Sequence, residues 1–135
     1  MIDSKAHKEQ VEEAVAFLRS RLPIIPEILI QLGTGLGNLV EAMESSISIP
    51  YEDIPGFPHS TVTSHAGNLV CGTLAGKPCA ILQGRFHYYE GYSAREVGFP
   101  IRVLSLLGVR TAIITNASGG LNTTWPAGTI MALKD

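Results

Sequence analysis

This sequence of 135 residues has little charge, little sulfur and no long apolar run. Its 10 Lys and Arg nearly balance its 12 Asp and Glu, and a net charge of −2 supplies no general attraction to nucleic acid or an anionic membrane. Any capacity to bind an anion must therefore be local. No apolar stretch approaches the roughly 20 residues that span a bilayer, and Met1-Ile2-Asp3-Ser4-Lys5 lacks the apolar centre of a signal peptide. A cytoplasmic protein with no nucleic-acid and no membrane partner is expected. Only two cysteines occur, Cys71 and Cys79, on either side of Ala75-Gly76-Lys77-Pro78. A disulfide across that turn is conceivable, and buried free thiols are the expectation in a reducing compartment. With neither Cys-x-x-Cys nor a paired-histidine set, no zinc site is expected. The absence of Gly-x-x-x-x-Gly-Lys-[Ser/Thr] argues against a polyphosphate cradle.

What remains is the composition of a core-forming chain, 45% apolar and 16% charged, without repeats or low-complexity segments. Val11, Ala14, Val15, Leu18 and Leu22 recur on one helical face, which predicts a helix over residues 7–22 ended by Pro23. Residues 26–32 form a doubly apolar run that predicts a buried parallel strand. It leads into Gly33-Thr34-Gly35-Leu36-Gly37-Asn38 and a short helical pattern through Leu39, Val40 and Met43. Strands are predicted over 46–51, 68–74 and 78–82, the last two as a hairpin. The Pro- and Gly-containing stretch 53–64 between them has the character of a mobile lid. A helix over 94–107 opens on the capping box Ser93/Glu96 and turns Val97, Ile101, Leu104 and Leu107 inward. Pro100 is expected to bend or delay this helix, and Gly108 to stop it. Residues 111–115 predict another apolar strand, and 128–134 the beginning of one more.

Three loops follow strand ends, where open α/β sheets bind ligands. The turn at residues 33–38 offers backbone N–H groups, the Thr34 hydroxyl and the positive end of a helix dipole. A dinucleotide fingerprint would need Gly-x-Gly-x-x-Gly, and here Asn38 stands in the place of the last glycine. The stretch Gln83-Gly84-Arg85-Phe86-His87-Tyr88-Tyr89-Glu90-Gly91-Tyr92 brings a guanidinium fork and a titratable imidazole together, with three tyrosine faces suited to a sugar or base. Asn116-Ala117-Ser118-Gly119-Gly120-Leu121-Asn122 is a second glycine-rich turn. With His65 on the lid, this constellation suits one phosphate dianion beside a polar, aromatic neighbour.

These motifs, with Ser64-His65-Ala66-Gly67 and Thr115 ahead of Asn116, stand in the order found in the trimeric purine nucleoside phosphorylases acting on inosine and guanosine, which the chain resembles. The resemblance runs from the first helix to the last strand and matches about the N-terminal half of such an enzyme. It implies an α/β fold with a mixed, mostly parallel central sheet flanked by helices, incomplete at the C-terminus. Residues 1–135 would be the N-terminal portion of one nucleoside phosphorylase domain. The implied reaction is phosphorolysis of purine (deoxy)ribonucleosides to free base and (deoxy)ribose 1-phosphate by a homotrimer, with inorganic phosphate as co-substrate and no cofactor or metal. The resemblance assigns Arg85 and His87 as catalytic, and Thr34, His65, Arg85, Phe86, His87 and the Ala117 N–H to phosphate, with Tyr89 at the ribose. The residues that grip the purine in the family, a glutamate and an asparagine, have no counterpart here. Nor do a further phosphate-binding serine and a ribose-side histidine. Two alternatives stand beside this reading: an inactive fragment with residual anion binding, and a nucleotide-cofactor domain resting on residues 33–37 alone.

Overall fold

The computed structural model describes residues 4–58 and 67–134. Helix α1 spans Ser4–Arg21 and α2 Ala94–Leu107; strands are β1 Ile28–Gln31, β2 Glu44–Pro50, β3 Asn68–Leu74, β4 Lys77–Gln83 and β5 Thr111–Ile114. They form one mixed sheet in the order β2-β3-β4-β1-β5. Strands β2, β3 and β4 pair antiparallel, whereas β1 lies between β4 and β5 and pairs parallel with both.

The alternation of side chains decides the packing. Leu29, Ile49, Leu69, Cys71, Ala80 and Leu82 point to one face. There they meet Val11, Ala14, Val15 and Leu18 of α1 and Phe99, Val103, Leu104 and Leu107 of α2. Val70, Cys79 and Ile81 point to the other face, into a smaller cluster with Leu32 and Met43. Both helices therefore cover the same face. Over the second face the described chain lays only a 3₁₀ helix, Gly37–Ala42, whose Leu39 and Val40 touch that smaller cluster.

The cysteines follow from the same register. Cys71 pairs with Ala80 and Cys79 with Gly72, so the two thiols lie on opposite faces of the hairpin and are free and buried. Burial pushes the Cys71 thiol up to about 12 and raises that of Cys79 as well. The conceivable disulfide does not form.

Other expectations meet local physics. Helix α1 begins three residues before the predicted start, and α2 carries the predicted capping box, with the Ser93 hydroxyl accepting from the Glu96 N–H at 3.3 Å. Pro100 sits inside α2 without delaying its start, and its own ring is buried in the core. Phe99 and Val103 join the inward face, while Val97 and Ile101 are only partly buried. The expected mobile lid is, through residue 58, part of the core: Ile54 and Phe57 are 1% and 2% exposed. The remaining residues of that stretch, and His65, lie outside the described residues. The short helix after the glycine turn is 3₁₀ rather than α, and its first position has no side-chain cap. No strand forms over 128–134, where Ile130 is 96% exposed. Among the described residues no helix is long and apolar enough to cross a membrane.

Candidate phosphate site at the strand ends

Parallel pairing is what assembles the site. Gln31 is in register with Leu82 of β4 and with Ile114 of β5, so the segments starting at residues 32, 83 and 115 leave the sheet side by side. Between the first two lies a cavity of about 410 Å³ lined by Gly33, Thr34, Arg85, His87, Tyr89 and Glu90. Tyr51, Gly67 and Gly84 close it from the β3 side. The Tyr51 hydroxyl donates to the Gly84 carbonyl at 2.6 Å, and burial raises its phenol well above the ordinary range, so this wall stays neutral. Glycine is required at position 67, because a Cβ there would run into the Tyr51 ring.

Arg85 Nε–H donates to His87 Nε2 at 3.2 Å, and Arg85 Nη1 donates to the Thr115 carbonyl at 3.0 Å. These bonds engage two of the roughly five guanidinium donors. His87 Nδ1 lies 2.8 Å from Glu90 Oε2, and the same oxygen accepts the His87 backbone N–H at 2.8 Å. A neutral imidazole fits this network in one tautomer: Nδ1–H toward Glu90, with the Nε2 lone pair toward Arg85. His87 in turn stacks on Tyr89, ring centroids 4.7 Å apart at 20°. Tyr89 is 82% exposed, presenting a flat apolar face at the mouth.

Of the residues assigned from the sequence, Thr34, Arg85, Phe86, His87 and Tyr89 line this one cavity. Phe86 does so with its ring buried against Tyr51 and Tyr92, at 5.5 and 5.1 Å between centroids, which leaves its main chain as the polar contribution. Ala117 is exposed and does not line the cavity. The helix dipole expected after Gly37 is not available, since a six-residue 3₁₀ helix adds little axial field. That also removes the structural context of a dinucleotide fingerprint.

Two residues were not foreseen as part of the site. Glu90 fixes the ring of His87 in the same i, i+3 arrangement by which Glu96 closes on Ser93, and that spacing is legible in the sequence. Thr115 ties three segments together through hydrogen bonds that no local pattern announces. No group of three or more His, Cys, Asp or Glu able to hold a metal occurs among the described residues.

The fold and site together define an α/β chain that gathers an arginine, a histidine and a glycine–threonine turn around one cleft at its strand ends. The phosphorylase superfamily matches residues 27–135, and this chain belongs to it. Purine nucleoside phosphorylase 1 of Bacillus subtilis is 51% identical over 128 residues, covering 95% of this chain and 47% of that protein. A solved purine nucleoside phosphorylase in complex with ribose-1-phosphate superposes with a TM-score of 0.82 at 47% identity, covering 87% of this chain and 43% of that one. The Schistosoma mansoni enzyme in complex with inosine gives 0.80 at 44% identity, covering 87% and 41%. The chain thus spans about half the length of the relatives it matches.

Proposed function

We propose that the chain carries the phosphate-binding half of a purine nucleoside phosphorylase, which converts purine (deoxy)ribonucleosides and phosphate to free purine and (deoxy)ribose 1-phosphate. The observation that carries this reading is the Arg85–His87–Glu90 array facing the Thr34 turn across one cavity, in a chain whose relatives include enzymes solved with inosine and with ribose-1-phosphate. Arg85 supplies the permanent positive charge and the Thr34 hydroxyl a neutral donor. His87, oriented by Glu90 through Nδ1, faces the same cavity beside Arg85, so the two side chains address an anion from neighbouring directions. The Phe86 main chain lines the same cavity and Tyr89 flanks the ribose; the family resemblance adds His65 and the Ala117 N–H, although Ala117 does not line the cavity.

Chemistry follows from orientation. As the C–N bond weakens, the ribose gains oxocarbenium character, and the held phosphate is at once nucleophile and counter-charge. No metal or cofactor takes part. Protonation of the departing purine falls to residues of the kind the relatives carry in their remaining half. The working form is a cytoplasmic homotrimer.

The test is phosphate-dependent release of hypoxanthine from inosine, measured for this chain alone and for this chain joined to the remaining half of a relative. Release by the joined protein and none by the chain alone is expected. Arg85→Ala in the joined protein is expected to cost on the order of 2–5 kcal/mol of transition-state binding. A joined protein that is folded yet unaffected by Arg85→Ala at low phosphate contradicts the assignment.

A further inference from the structure

We propose that Thr115 is a positioning residue that holds Arg85 and the Gly33-Thr34 turn in register with one another; the proposal rests on the phosphate reading of the cavity. Thr115 follows the last residue of β5 and makes four long-range hydrogen bonds. Its N–H and its hydroxyl both donate to the Gln31 carbonyl, at 3.1 and 2.8 Å. Its Oγ1 accepts the Gly33 N–H at 2.8 Å, and its carbonyl accepts Arg85 Nη1 at 3.0 Å. The ends of β1, β4 and β5 thus meet on a single residue that does not line the cavity.

The hydroxyl is the centre of this clasp. It donates in one direction and accepts in another, which only Ser and Thr combine in so small a side chain. The β-branch narrows its rotamers and keeps both bonds in place. With both its N–H and hydroxyl bound to Gln31, the Thr115 peptide is clamped, and its carbonyl presents a fixed acceptor to Arg85. The Gly33 bond sets the start of the turn that carries Thr34. At that point a Cβ on residue 33 would come within 2.8 Å of Asn116 Cα, so the two segments approach as closely as glycine permits. Loss of the hydroxyl leaves the Gly33 N–H without its acceptor and leaves the residue whose carbonyl anchors Arg85 tied to Gln31 by its backbone N–H alone.

The experiment compares the full chain with Thr115→Val, Thr115→Ala and Thr115→Ser by two readouts. Inorganic phosphate is titrated calorimetrically, and the order of the Arg85 Nε–H vector is measured by ¹⁵N relaxation. Thr115→Val is expected to weaken phosphate about tenfold, the effect of one lost hydrogen bond and an unsatisfied donor. It is also expected to mobilise the Arg85 side chain while the amides of α1 stay protected. Thr115→Ser, which keeps the hydroxyl, retains an ordered Arg85 and binds phosphate within about threefold of the parent. Thr115→Ala replaces the valine variant should that one fail to fold. An Arg85 as ordered without the hydroxyl as with it overturns the proposal. Absence of saturable phosphate binding by the parent would defeat the phosphate reading by itself, and the Arg85 relaxation would still decide the role of Thr115.

Discussion

The two sides of strand β1 are built differently. Toward β4 lies a hairpin whose side chains are buried on both faces, under two helices on one of them. Toward β5 lies an edge strand exposed along its whole length, with Ile113 and Ile114 at 48% and 57%. Both pairings have the same parallel register, so hydrogen bonding does not distinguish them. What distinguishes them is cover. Apolar strands buried by neither face contribute backbone pairing and little hydrophobic stabilisation. The cavity lies on the packed side, lined by Arg85 and His87, and Thr115, which does not line it, reaches Arg85 from the bare one. The packed wall carrying Arg85 and His87 thus stands beside a bare seam at β5, in a chain that spans about half the length of the relatives it matches.

Stability measurements by denaturant unfolding should separate the two sides. Leu104→Ala, in the core under α2 at 0% exposure, is expected to cost about 2–5 kcal/mol. Ile114→Ala on β5 should stay within about 0.5 kcal/mol. Equal losses would mean that β5 is as firmly packed as the hairpin. Gly33→Ala tests the seam itself, because its Cβ would meet the backbone of Asn116 and the Thr115 carbonyl rather than a flexible side chain. A cost of about 1–3 kcal/mol is expected, together with faster amide exchange at Thr115, whose N–H bonds Gln31. Unchanged exchange there would show that the seam can widen without strain.

The smallest effect belongs to the helical side. His7 of α1 is buried against Phe99, ring centroids 5.7 Å apart, and Arg102 Nη1 lies 3.2 Å from its Nε2. Burial first, then Arg95 and Arg102, hold its pKa below the usual 6.5. The unfolded chain accordingly binds a proton at higher pH than the folded one. The contribution of neutral His7 is full above pH 6.5 and is lost as pH falls from there through the folded-state value. His7→Gln should flatten the stability profile in that window; an identical profile would remove His7 as its source.

How much of this could be read from the chain depends on the range of the interaction concerned. Helix α2 was legible because Ser93 and Glu96 form a local box and its apolar positions repeat, and the β3–β4 hairpin because its turn is local. The apolar run at 111–115 predicts a strand, which forms as β5; that β5 lies bare is not legible in the run, since cover depends on what else lies over the sheet. The same holds for 128–134, which has strand-like residues and no partner to pair with among those described. Nothing local to Phe57, within a Pro- and Gly-containing stretch, shows that its ring ends between Tyr51 and Phe99. In the site, Arg85 and His87 were visible as neighbours in sequence. Thr115 was hidden because its partners lie 30 to 84 positions away.

The most direct test of the account is a calorimetric titration of inorganic phosphate into the folded chain and into Arg85→Ala. Saturable binding at one site, weakened by at least about tenfold in Arg85→Ala, is the predicted result. Binding of equal strength in both proteins, or no saturable binding to a parent chain whose amides show it folded, would contradict the claim that this cavity is a phosphate site.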